Sequence, residues 1–263
     1  MAGASDESRP KIGQEVEGPI EDLAYGGAGV MRVSGWVIMV RGAYPHDRIR
    51  ARIRRRRKGV FEGDLLKILA AGPERVAPRC PHLGICGGCA LQGLDPAAQT
   101  RYKAAQAVEL LRRIGKIEPA EIAAPWQGPA SYFYRNKMEF TFAKRPWLTR
   151  EALAEGKPFP PGPALGLHPR GVYQGVFNIE DCQLQSPLSN RIVDRTREIA
   201  RRHGLSVYDS HADEGLLRHL VIRQAATTSD LLIVIVARSE DPRLRVLASE
   251  LHAAVPEITG IVA

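Results

Sequence analysis

Aromatic residues are few, no long apolar run occurs, and cysteine is nearly absent. Phe, Trp and Tyr make up 6% of 263 residues, so stacking on bases is not the dominant theme of the chain. The longest apolar run, Leu231 to Ala237, suits one strand; a membrane-spanning helix takes about 20 apolar residues. Met1 to Pro10 is small and polar, without the apolar core of a signal peptide. It reads as a disordered tail and leaves the cytoplasm as the expected compartment. The turn Tyr25-Gly26-Gly27-Ala28-Gly29 lacks the Lys-Ser/Thr of a phosphate loop, and no helical pattern follows it; it reads as a β-turn.

Of the four cysteines, three fall within ten positions, in Cys80-Pro81-His82-Leu83-Gly84-Ile85-Cys86-Gly87-Gly88-Cys89, and Cys182 stands far off. Thiolates are the soft ligands that iron–sulfur clusters and zinc select. A 4Fe–4S cluster takes four of them, and a compact loop can supply three. Gly84, Gly87 and Gly88 let such a loop bend. Structural zinc, with His82 as a ligand, is a second reading, although zinc ligands usually come as two spaced pairs. Disulfides are a third and need an oxidising compartment. A buried free thiol at Cys182 is a fourth. Spacing favours the cluster and leaves the others open.

A net charge of +8 favours a polyanionic partner, and 44% hydrophobic residues suit a chain that buries a core. The length allows one large domain or two smaller ones. From Lys11 to about Ala71 the chain reads as short strands and turns. In Arg48-Ile49-Arg50-Ala51-Arg52-Ile53-Arg54, period two puts Ile49, Ala51 and Ile53 on one face and four arginines on the other. A small closed barrel with one basic wall accounts for this, and OB-like barrels bind oligonucleotides in that way. The alternative is a merely solvated strand face.

Helices are expected after Asp95-Pro96, Ser186-Pro187 and Asp241-Pro242, where a capping side chain precedes a proline suited to the first turn. The first should turn Ala107, Leu110, Leu111 and Ile114 inward and the last Leu244, Leu247, Ala248 and Leu251. Tyr132 to Phe142 reads as an aromatic-rich strand, Leu165 to His168 and Tyr173 to Ile179 as short strands, and Leu216–Ala225 with Leu231–Ala237 as a pair. His168, His211 and His219 have no partner motif and read as structural. The apolar end, Ile258 to Ala263, reads as an element cut in its middle.

Lys11 to Ala71 resembles a TRAM domain, a small RNA-binding β-barrel. The matching residues are Leu23-x-Tyr25-Gly26-Gly27-x-Gly29-Val30, the strand Val37 to Val40 with Arg41-Gly42-Ala43, and the basic strand; Pro45-His46-Asp47 stands where that family commonly has Pro-Gly-Glu. The whole chain resembles the RNA uracil-C5 methyltransferases with an N-terminal TRAM domain and a 4Fe–4S cluster, the branch that makes 5-methyluridine in 23S ribosomal RNA. Cys80, Cys86, Cys89 and Cys182 match that family's Cys-x5-Cys-x2-Cys and distant fourth cysteine. Tyr134 to Lys137, Ile179 to Cys182 and Leu217 to Arg223 also look like its recurring stretches. Radical methylthiotransferases, with Cys-x3-Cys-x2-Cys and a C-terminal TRAM domain, do not match.

The resemblance implies an α+β fold: a tail over residues 1–10, an OB-like TRAM barrel over 11–72, and a β-rich iron–sulfur domain with a few helices over 73–263, truncated at its end. The family's Rossmann-like methyltransferase domain is expected to be absent, since no cysteine is left over as a nucleophile and no Gly-x-Gly loop follows a strand in the last hundred residues. The chain would then be the RNA-binding and cluster portion of an S-adenosylmethionine-dependent enzyme, with no catalytic residue of its own. The expected metal ligands are Cys80, Cys86, Cys89 and Cys182. The expected RNA contacts are Arg50, Arg52, Arg54, Arg135, Lys137 and Arg218. Ribosomal RNA is the expected partner, with tRNA second, and the chain is expected to be a monomer away from membranes. A stand-alone RNA-binding protein with a structural metal site is the alternative.

Overall fold

The computed structural model describes residues 9–118 and 122–263. The tail expected over Met1–Pro10 lies outside the described residues except for Arg9 and a buried Pro10. Two compact units appear: the chain up to Arg79 with Cys89–Pro129, and Cys80–Gly88 with Ala130–Ala263. Among the described residues no helix is long and apolar enough to cross a membrane.

The first unit is built on strands β1 (Glu15–Pro19), β2 (Asp22–Leu23), β3 (Ala28–Val33), β4 (Trp36–Arg41), β5 (Arg48–Arg57) and β6 (Val60–Ala70), in the order β1-β5-β6-β4-β3-β2. Period two works as the sequence predicts: Ile49, Ala51 and Ile53 are buried and the arginines between them are exposed. They join Val16, Ile20, Met31, Ile38, Val40 and Phe61 in one core. Gly29 is required here, because a Cβ would lie 2.6 Å from the Ala43 carbonyl oxygen.

The expected closed OB-like barrel is corrected. The sheet is mixed, with β4 and β6 parallel, and it has β1 and β2 at its edges. β2 holds only two residues, and among the described residues it pairs with β3 alone.

The turn before β5 is locked by Asp47, which is fully buried. Its carboxylate accepts the backbone N–H groups of Tyr44 at 2.7 Å and Gly72 at 2.9 Å, and two bonds from Arg75 at 2.6 and 2.9 Å. The Arg75 guanidinium also covers the Tyr44 ring at 4.6 Å. Helix α1 (Pro96–Arg113) belongs to this unit and is capped by Asp95, which accepts the N–H groups of Ala97 and Ala98. Its inward side differs from the expected one. Leu111 and Ile114 are exposed, while Ala98 packs with Leu23, Tyr44 and Leu94, and Tyr102 lies against them.

The second unit has strands β7 (Lys137–Ala143), β8 (Ala164–Leu167), β9 (Phe177–Asn178), β10 (Leu217–Gln224), β11 (Leu231–Ala237) and β12 (Gly260–Val262), in the order β12-β11-β10-β7-β8-β9. Helices are α2 (Arg150–Ala154), α3 (Pro187–Arg202) and α4 (Pro242–Ala254). β11, α4 and the parallel β12 form a crossover unit, so this sheet is mixed too. Met138, Phe140, Phe142, Leu220, Ile222, Ile233 and Ile235 bury one face. The helices supply buried stripes through Ile192, Val193, Ile199, Leu244, Leu247 and Leu251. The expected strand from Tyr132 starts only at Lys137. Upstream, the N–H groups of Phe133 and Arg135 bond to the carbonyls of Gln183 and Leu184, alongside the Cys182 segment.

Candidate nucleic-acid interface and cysteine loop

The structure gathers Arg50, Arg52 and Arg54 on one exposed face of the first unit, but each is already paired. Arg50 meets Glu17 at 2.7 Å, Arg52 meets Glu15 at 2.7 Å, and Arg54 meets Glu62 at 2.8 Å. Register explains it: Glu15 stands opposite Arg52 and Glu17 opposite Arg50. Arg55 adds two bonds to Glu62, at 2.8 and 3.1 Å. Burial works to raise the Glu62 carboxyl, but the bonds from Arg55 and Arg54 outweigh it and hold the group below its usual range. The sequence reading missed these acids. The signal was there in Glu15-Val16-Glu17, whose alternation mirrors that of the arginine strand.

In the second unit the loop Cys80–Gly88 turns on itself, with the Cys86 N–H bonded to the His82 carbonyl at 2.9 Å. It docks on residues 168–170 through Gly87 N–H to His168 O at 3.1 Å and Arg170 N–H to Ile85 O at 2.9 Å. His82 Nε2 accepts the Glu180 N–H at 3.2 Å, and its ring lies 5.3 Å from that of Phe177. Burial, more than offsetting Glu180 and Asp181, lowers the His82 pKa and keeps the ring neutral. With Nε2 so engaged, this histidine does not offer that nitrogen to zinc.

Cys80, Cys86 and Cys182 are buried, and Cys89 is half-buried. The Cys182 backbone is clamped by Asn190, whose Oδ1 accepts its N–H at 3.0 Å and whose Nδ2 donates to its carbonyl at 3.2 Å. Cys86 Sγ accepts from Gly88 N–H, and Cys89 Sγ from Gln92 Nε2, both at 3.3 Å. Such N–H···S bonds are the kind that cluster thiolates use. In placement, however, no group of three or more His, Cys, Asp or Glu among the described residues is gathered to hold a metal ion.

The remaining expected contacts, Arg135, Lys137 and Arg218, lie in the second unit. Arg135 precedes β7. Lys137 opens β7 and stands opposite Arg223 of β10. Arg218 places its guanidinium 4.5 Å from the Tyr208 ring centre. Two of the three histidines that lacked a partner motif share one: Thr141 Oγ1 lies 3.3 Å from His168 Nε2 and 3.4 Å from His219 Nδ1.

A crevice of about 810 Å³ opens where β11 meets α4, lined by Ser239, Glu240, Asp241, Arg245 and Ala263 among others. The carboxyl end of parallel strands is where α/β sheets bind cofactors. Here the loop carries no glycine, and Asp241 is committed to Arg243, whose hydrogen bonds bring its pKa down to about 2.

The fold is one already seen in a methyltransferase. The chain aligns with the crystal structure of Pyrococcus abyssi tRNA (uracil-54, C5)-methyltransferase in complex with S-adenosyl-L-homocysteine, at a TM-score of 0.58 and 21% identity, over 86% of this chain and 47% of that one. This corrects the α+β expectation that set the chain apart from the methyltransferase fold as a barrel followed by an iron–sulfur domain.

Relatives in sequence are proteins named RNA methyltransferases. An uncharacterized RNA methyltransferase of Bacteroides thetaiotaomicron is 36% identical over 91% of this chain and 53% of its own length. One from Halalkalibacterium halodurans is 32% identical over 94% of this chain and 51% of its own length. The chain thus spans about half the length of the curated relatives it matches. No protein-family model matches it.

Proposed function

We propose that the chain is the RNA-engaging part of an S-adenosylmethionine-dependent RNA methyltransferase that acts at carbon 5 of uracil, in the cytoplasm. The observation that carries the reading is the likeness over 91% of the chain to a protein named an RNA methyltransferase. The net charge of +8 adds support, since phosphate contacts dominate nucleic-acid affinity. The uracil-C5 assignment draws on the solved neighbour's chemistry. Ribosomal RNA is the favoured substrate, on the resemblance of the four-cysteine pattern to the enzymes that modify it.

A four-cysteine 4Fe–4S site at Cys80, Cys86, Cys89 and Cys182 stays in the proposal on spacing alone. Anaerobically purified protein is expected to be brown and to contain iron and acid-labile sulfide; colourless protein without sulfide refutes the cluster.

Two assays test the activity. The chain should bind single-stranded RNA with an affinity that falls with salt. A protein extended to the length of its relatives should transfer label from S-adenosylmethionine to uridine carbon 5. Label on another base or atom overturns the uracil assignment, and failure to bind RNA overturns the RNA reading.

A further inference from the structure

We infer that the open face of the second unit's sheet, at Lys137 and Arg223, is a single-stranded RNA site, with Tyr173 as its stacking platform. The inference rests on the RNA reading above and assigns the contact to a place other than the arginine strand.

The first observation is a charge imbalance. Lys137 and Arg223 stand directly opposite in the β7–β10 register, so their Cβ atoms lie about 5 Å apart on one face. Like charges so placed repel and destabilise a sheet. Among the described residues neither has a carboxylate partner, and both are exposed. Glu139 is the one acid on this face of β7, and it lies 3.9 Å from His219 Nδ1. Arg50, Arg52 and Arg54, by contrast, each hold a glutamate at 2.7–2.8 Å. A phosphate can relieve the first pair directly. At the arginine strand it must compete with carboxylates already in place.

The second observation is an exposed aromatic beside the same face. Tyr173 is 92% exposed, and its ring lies nearly parallel to that of His168, at 11° with centres 6.1 Å apart. His168 is fixed in turn by Gly175 O at 2.9 Å and by Thr141, which lies on the same face of β7 as Lys137. From residue 137 to 141 along a strand is about 13–14 Å. Two steps of an extended nucleic-acid backbone cover a similar span. A chain crossing the sheet can therefore rest phosphates on Lys137 and Arg223 while a base stacks on Tyr173. Stacking of this kind tolerates any base.

The test uses the full chain and fluorescent oligouridylate, titrated at several salt concentrations. Lys137→Gln with Arg223→Gln should weaken binding roughly tenfold and flatten the log–log salt plot by about 1.4, two phosphates at 0.7 each. Tyr173→Ala should also weaken binding roughly tenfold but leave the salt slope unchanged. In the unaltered chain, photocrosslinking of 4-thiouridine-containing oligouridylate should mark the peptide that holds Tyr173, which guards against a variant that misfolds. An unchanged slope in the Lys137/Arg223 double variant, with a flattened one in Arg50→Gln/Arg52→Gln/Arg54→Gln, would move the site to the first unit and overturn the inference while leaving the RNA reading intact. A chain that binds no RNA at all would overturn both.

Discussion

At the scale of single residues, the best-determined position is Asp47. A fully buried carboxylate is costly unless its oxygens are satisfied, and here four hydrogen bonds converge on it. Burial alone would raise its pKa, but the bonds from Arg75, Gly72 and Tyr44 outweigh it and bring the value below normal. A group depressed in the folded state contributes stability above its unfolded pKa of about 3.9, and that contribution is lost as pH falls through the folded value. Asp47→Asn would leave Arg75, only 18% exposed, without its counter-charge. We expect a loss of about 2–4 kcal/mol at neutral pH. The stability of the variant should also fall less steeply below pH 4 than that of the parent. Urea denaturation across that range measures both, and parallel acid limbs would show that Asp47 is not the titrating group. The neighbouring His46 sits in the left-handed region at φ 68°, a conformation that glycine adopts at no steric cost.

At the scale of elements, the period-two arginine strand was legible because one strand's alternation is a local property. The three long helices were legible for the same reason, since Asp95, Ser186 and Asp241 each act as the N-cap beside a proline. What could not be read was register. Whether Glu15 and Glu17 face the arginines depends on the pairing of β1 with β5, some 35 residues apart in sequence. Nor could the inward side of α1 be read, because its buried contacts are the small Ala98 and the polar-edged Tyr102 rather than the leucines of its stripe. The cysteine segments were legible as a pattern, but not the clamp by Asn190 or the bond from Glu180 to His82, which join distant loops. The arginine ladder also makes a prediction of its own. Exposed pairs contribute about 0–1 kcal/mol each, so Glu15→Gln with Glu17→Gln should barely change stability. It should release Arg50 and Arg52 and steepen the salt dependence of RNA binding by up to about 1.4. A slope identical to the parent's would mean that RNA does not visit that face even when its arginines are free.

At the scale of the whole molecule, the chain passes between its two units three times, at residues 79/80, 88/89 and 129/130. A sequence-based boundary near residue 72 ends the first unit where the strands end. The packing suggests a later one. Leu94 and Ala98 are completely buried, and they cover Leu23 and Tyr44, themselves 3% and 1% exposed. Gln106 donates to the Leu23 carbonyl at 2.6 Å, and Tyr44 donates to the Ala90 carbonyl at 3.2 Å. All of these contacts join the sheet to a segment beyond residue 89. A fragment of residues 9–79 would expose that cluster, at a cost of about 2–4 kcal/mol from the apolar side chains alone. In a domain of this size that is a drop of roughly 10–20 °C in melting temperature. A fragment of residues 9–129 retains α1 and should melt cooperatively at the higher temperature. Thermal melts of the two fragments followed by circular dichroism decide the matter. Equal midpoints would show that α1 adds nothing to the first unit and that the strands alone are its fold.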